Sequence, residues 1–344
     1  MMKKKMIFII IICMMFLTGC GADGEKTAEN YDSGSDSGHI RIGIAFDSFI
    51  IERWERDRDI FVSTARDLGA EVNVQNANGS VDKQKEQIGY LIDKKMDVIV
   101  IIAVDSGALT GEVKRAKEAG IKVIAYDRLV NNADVDLYIS FDNEKVGRFM
   151  ADAIIEGTKG CGPIIKINGP SKDNNVSLVN KGFDERIAGT DIEVVDTCYA
   201  SEWKGEEAFN YLSSNPKEAD RVAAVMCGND SLAGQAVRYY AEKRKAGDVI
   251  IVGQDADLDA CQRIVEGTQA MTVYKPIERL ARRAAQCAID LARGNTIEAG
   301  TVNDGVNEVP FVNIEPVMVN RDNIDSVIID SGFHLREDVY LRKN

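Results

Sequence analysis

The chain contains two tryptophans, Trp54 and Trp203, and each follows an apolar run at the point where a helix should begin. Around them, just beyond other apolar runs, stand Asp47, Arg53, Asp105, Asp127, Arg128, Asp173 to Asn175, Asn229, Asp230, Asp255 and Lys275. These are carboxylates, amides, guanidinium groups and indoles. Carboxylates accept hydrogen bonds from hydroxyls, Arg and Asn bond adjacent hydroxyls, and an indole stacks on the C–H face of a sugar ring. The chemistry suits a neutral polyol. It does not suit catalysis: there is no GxSxG, no Cys/His pairing and no Walker A motif. Gly160-Cys161-Gly162 precedes an apolar run instead of following one, so it is no dinucleotide loop. Residues 131–136 lack the ligand spacing and central glycine of an EF-hand.

Several of these residues have plainer explanations. Asn229 and Asp255 each lie between a strand and a helix and could be N-caps. Arg128 could form a surface pair with Asp127, Trp54 could be core packing, and Arg53 could belong to a solvated charged face. What favours a site is their joint position at strand ends.

The elements that must place them follow a strand–helix rhythm. Strands are expected over 40–46, 71–75, 97–102 and 122–125, with helices over 50–68, 82–94 and 109–119. A second series starts near Phe141, with strands over 164–167, 193–197, 222–225 and 249–252. Its helices cover 177–187, 205–213, 232–243 and 258–266. Runs such as VIVIIAV are apolar at every position, as parallel strands covered on both faces require. Two such series predict two doubly wound α/β lobes, with ligand binding beyond the carboxyl ends of the strands.

The whole chain has 344 residues and a net charge of −13. Its length suits about two domains. Its acidity argues against nucleic acid, which needs a basic face. Two histidines, His39 and His334, leave little for His catalysis or His-ligated metal. Five cysteines beyond Cys13 and Cys20 are scattered without a CxxC pair, which suits small buried hydrophobes and names no disulfide.

Lys3 to Lys5, the 12-residue apolar run 6–17 and the sequence Leu17-Thr18-Gly19-Cys20 resemble a bacterial lipoprotein signal. The run is too short to span a membrane. Residues 1–19 are therefore expected to be removed, with Cys20 lipidated and residues 20–38, rich in Gly, Ser and acidic residues, forming a tether.

The strings ERWERDRDIFV (52–62), IKVIAYDR (121–128), DLYISFDNEKVG (136–147), DNN (173–175), ND (229–230), GQDADL (253–258), GTQAMTVYKP (267–276) and DGVNEVP (304–310) resemble the type I sugar-binding family of periplasmic binding proteins. The resemblance runs from about residue 40 to 334. It implies two Rossmann-like lobes joined by a three-strand hinge: 39–140 plus 276–308, and 141–275 plus 309–344. It implies ligand contacts at Arg53, Trp54, Arg128, Asp173, Asn175, Trp203, Asn229, Asp255 and Lys275, with no cofactor and no metal. The implied ligand is a monosaccharide, D-xylose, passed by a lipid-anchored monomer on the outer face of the cell membrane to an ABC permease and its ATPase. The segment 199–202 and the loop 45–49 depart from the family's pattern and bear on selectivity among pentoses and hexoses. A sugar sensor serving a receptor kinase or chemoreceptor is the alternative. A lac-repressor-type effector domain would need a basic helix-turn-helix before the first strand, where an acidic tether stands instead.

Overall fold

The computed structural model describes residues 39–50 and 53–341. The signal, Cys20 and the tether lie outside them. The first series runs β1 (Arg41–Phe46), α1 (Arg53–Asp67), β2 (Glu71–Asn76), α2 (Val81–Asp93), β3 (Val98–Ile101), α3 (Thr110–Glu118), β4 (Lys122–Tyr126) and β5 (Leu137–Phe141). The second runs α4 (Asn143–Thr158), β6 (Cys161–Asn168), α5 (Asn174–Ile187), β7 (Asp191–Tyr199), α6 (Glu206–Ser214), α7 (Pro216–Ala219), β8 (Ala224–Cys227), α8 (Asp230–Glu242), β9 (Ile250–Val252), α9 (Leu258–Glu266) and β10 (Met271–Tyr274). The chain then returns through α10 (Ile277–Ala292), β11 (Gly300–Asn303), β12 (Glu308–Ile314), β13 (Val317–Asn320) and α11 (Arg336–Tyr340).

Two sheets result, ordered β11-β12-β5-β4-β3-β1-β2 and β13-β10-β9-β8-β6-β7. All pairings are parallel except β11 with β12 and β13 with β10. Alternation within a strand sends side chains to opposite faces. In β3, Val98 and Val100 pack under α1 and α10, whereas Ile99 and Ile101 pack under α2 and α3. Both faces are therefore dry, which is why these runs carry no polar alternation. Each fully buried Ile or Phe contributes about 1.5–3 kcal/mol of hydrophobic stabilisation.

The chain crosses between lobes at residue 142, at 275–276 and at 315–316. The expected third boundary at 308/309 is corrected by this topology. β12 stays in the first sheet through Ile314, pairing with Phe141 of β5. Phe141 likewise belongs to the first lobe. The crossings put the carboxyl ends of both sets of parallel strands against one cleft.

Candidate functional site

Each polar residue of the cleft stands just past a strand. Asp47 follows β1, Asp127 and Arg128 follow β4, Asp173 follows β6, Gln254 and Asp255 follow β9, and Lys275 follows β10. Asp173 also caps α5, accepting from the Asn175 N–H at 3.0 Å. A cleft pocket lies between the lobes, lined by Arg53, Trp54, Asp127, Arg128, Asp173, Asn175, Trp203, Gln254, Asp255 and Lys275.

Arg53 is buried on the first turn of α1. Its Nε donates to Asp57 Oδ2 at 3.1 Å and its Nη2 to Asp127 Oδ2 at 2.8 Å. Tyr126 Oη donates to the other oxygen of Asp57. Arg128 Nη1 donates to Asp47 Oδ2 at 2.6 Å and to the Ala103 carbonyl at 3.1 Å. Trp54 sits against both cations, with the Arg53 guanidinium carbon 4.4 Å and that of Arg128 5.7 Å from its ring centroid. Such stacking fixes the indole plane.

Two contacts shorter than 3 Å cross the cleft directly. Arg128 Nε lies 2.7 Å from Asp173 Oδ2, and Asn175 Nδ2 donates to Asp127 Oδ1 at 2.8 Å. Backbone groups add a latch outside the cavity: the Ser106 N–H donates to the Lys172 carbonyl at 3.3 Å, and the Asn174 N–H donates to Ser106 Oγ at 3.2 Å. The lobes are closed on one another.

From the second lobe, Trp203 donates from Nε1 to Asp173 Oδ2 at 3.3 Å. Its ring needs Gly169, because a Cβ there would stand 2.4 Å from the indole. Lys275 Nζ lies 3.1 Å from Asp255 Oδ1 and Arg53 Nη1 lies 3.9 Å from it. The Lys275 contact is an ion pair without hydrogen-bond alignment, so this buried oxygen has no donor. Trp54 Nε1 and Gln254 Oε1 are likewise buried without partners. Buried polar atoms are normally paired, so these three are acceptors and a donor suited to a ligand's hydroxyls.

Charge is balanced around the cavity. Arg53, Arg128 and Lys275 face Asp127, Asp173 and Asp255. Burial pushes the carboxyls of Asp47, Asp57 and Asp173 up, with their Arg partners opposing the shift. Burial also acts on Asp127, but Arg53, Lys275 and Arg128 around it hold its carboxyl below its ordinary value. A wall of paired charges offers a ligand both donors and acceptors.

Eight of the nine expected contact residues line this cavity. Asn229 does not: it caps α8, its Oδ1 accepting from the Leu232 N–H at 2.9 Å, and it lines a neighbouring groove of the second lobe. The strand-end residue Asp105 accepts from the Gly107 N–H and lies off the cavity. Two residues are added. Asp127 is no surface partner of Arg128; it is bonded to Arg53 and Asn175 instead. Gln254 sits beside Asp255 within GQDADL, and its place after a strand was the available signal.

Residues 42–296 match the periplasmic binding protein domain. The chain belongs to the periplasmic binding protein family. Its relatives include a D-xylose-binding periplasmic protein of Haemophilus influenzae, 42% identical, covering 90% of this chain and 95% of that one. The protein of that description in Escherichia coli K12 is 39% identical, covering 98% of this chain and all of its own length. Among solved structures, a carbohydrate transporter solute-binding protein from Chloroflexus aurantiacus, in complex with D-glucose, superposes with a TM-score of 0.79 at 28% identity. That match covers 87% of this chain and 98% of the other. Members of this family are non-enzymatic binding components, and the two-lobed architecture with its cavity at the crossing strands is theirs.

Proposed function

We propose that this chain captures a neutral monosaccharide, D-xylose, in the closed cleft and delivers it to an ABC permease and its ATPase. The observation that carries the reading is the balanced cavity: three cations, three carboxylates and two indoles from opposite lobes. Each cation of the cavity is already paired with a carboxylate, so no lone charge awaits an ionic ligand. A polyol satisfies both sets, because each hydroxyl donates to a carboxylate and accepts from a guanidinium or ammonium group. Trp54 from the first lobe and Trp203 from the second offer apolar faces to the ring's C–H groups. Eight residues of the expected set make the contacts, with Gln254 and Asp127 beside them. The description of the two relatives as D-xylose-binding supports the pentose. Exclusion of one extra carbon group supplies roughly 1–3 kcal/mol, sufficient to rank pentose over hexose.

The proposal places the chain outside the cytoplasm, held at the membrane by lipid on Cys20. Isothermal titration of the purified protein with D-xylose, D-glucose and D-ribose tests the ligand. D-xylose is expected to bind tightest. Glucose or ribose binding more than about tenfold tighter would overturn the xylose assignment, and no binding by any sugar would overturn the function.

A further inference from the structure

Asp255 reaches the cavity from an unusual piece of backbone. Asp255 and Ala256 are consecutive non-glycine residues with φ of 99° and 57°. Such conformations are unfavourable for residues with a Cβ and persist only where the surroundings over-determine them. The Asp255 N–H donates to the Val273 carbonyl at 2.9 Å and His334 Nε2 lies 2.8 Å from the Ala256 carbonyl, and one carboxylate and one hydroxyl complete the surroundings. Thr272 Oγ donates to Asp230 Oδ2 at 2.6 Å and accepts from the Ala256 N–H at 3.1 Å. Asp230 Oδ2 also accepts from the Asp257 N–H at 3.1 Å, and Oδ1 accepts from Gln269 Nε2 at 2.8 Å. The Asp230 N–H donates to the Gln254 carbonyl at 3.0 Å. The backbone is thus pinned at residues 254, 256 and 257, on both sides of Asp255. Gly253 permits the approach: a Cβ there would lie 2.2 Å from Asp230 Oδ1.

Neither Asp230 nor Thr272 lines the cavity, and both are buried. We infer that Asp230 and Thr272 form a clamp that holds the strained 255–256 turn and so aims the Asp255 carboxylate at a ligand hydroxyl. They are positioning residues, and the inference rests on the sugar-binding reading above. With Asp230 ionised, the Thr hydroxyl gives its proton to the carboxylate and its lone pair to the Ala256 N–H. Removing the hydroxyl takes the acceptor from the Ala256 N–H and one donor from Asp230 Oδ2, which keeps the Asp257 N–H.

The test is titration of the full chain with D-xylose for Thr272→Val and Thr272→Ser. Val keeps the volume and loses the hydroxyl; Ser keeps the hydroxyl and loses the methyl. The clamp expects Val to weaken binding about tenfold or more and Ser to stay within about threefold of wild type. A packing role expects the reverse order, and that result would overturn the clamp, as would Val binding like wild type. Ala256→Gly relieves the left-handed strain, so Thr272→Val with Ala256→Gly should recover part of the lost affinity. Should Thr272→Val not fold, Asp230→Asn carries the comparison, because its amide sets a donor against donors; wild-type affinity in that variant would overturn the clamp. Absence of xylose binding by the wild-type chain would instead remove the functional reading, and the clamp with it.

Discussion

Arg128 and Asp173 meet across the cleft, Nε to Oδ2 at 2.7 Å, each buried and each anchored in a different lobe. Arg128 also serves Asp47, so one guanidinium neutralises two buried carboxylates. Removing it takes the cationic partner from both. Truncating one member of a buried charge pair in a binding site costs about 2–5 kcal/mol. Arg128→Ala is therefore expected to weaken D-xylose binding by tens-fold or more. Asp255→Ala, from the other lobe, should do the same by stranding Lys275. Titration calorimetry reads the loss and circular dichroism reports the retained fold. Either variant within about twofold of wild type would contradict the assignment.

The cavity lining comes from both lobes, with Arg53, Trp54 and Arg128 on one side and Asp173, Asn175, Trp203 and Asp255 on the other. The full set exists only when the lobes meet, so a ligand must favour the closed form by its differential affinity. The radius of gyration from small-angle scattering is expected to fall on addition of D-xylose. The Ser106 latch should form in step with closure, and Ser106→Ala should weaken binding by a few-fold, the range of one neutral hydrogen bond. A constant radius would rule out the hinge.

How much of this was legible in the sequence depends on the distance over which a contact is made. Asp47, Asp127, Asp173 and Asp255 could be found because parallel strands buried on both faces read as unbroken apolar runs, and these polar residues stand within a few positions of each run's end. Their partners could not be found this way. Asp127 bonds Arg53, 74 residues away, and not its neighbour Arg128. Asn229 shares the strand-end position yet turns its oxygen to a helix N-terminus, a choice that depends on local dihedrals and not on spacing. The third crossing escaped because 308–314 continues smoothly as a strand. Only its pairing with β5 shows that it belongs to the first sheet.

Anchoring rests on Cys20, which lies outside the described residues. Each buried CH₂ of an acyl chain contributes about 0.8 kcal/mol, so several chains hold a protein firmly at a membrane. Cys20→Ser is expected to shift the protein from the membrane fraction to a soluble or uncleaved form. Unchanged fractionation would argue against lipidation.

Asp230 gives folding stability a pH dependence of defined sign. Burial pushes its carboxyl up to about 7 from 3.8, against the opposing charge of Arg263 and the hydrogen bonds from Thr272 and Gln269, with Asp255 adding to the rise. The folded chain thus holds this proton more tightly than the unfolded chain. Its stabilising contribution is complete below about pH 4 and is lost as pH rises through about 7, because ionisation then strands a charge in the interior. Asp230→Asn removes the titration and leaves the other buried carboxyls, Asp47, Asp57 and Asp173, in place. Denaturant unfolding at pH 4, 5.5 and 7 should show the wild type losing stability relative to Asp230→Asn as pH rises. A difference that stays flat across that range would place the Asp230 proton off the folded chain already at pH 4. The carboxylate would then be fully ionised wherever Thr272 donates to it.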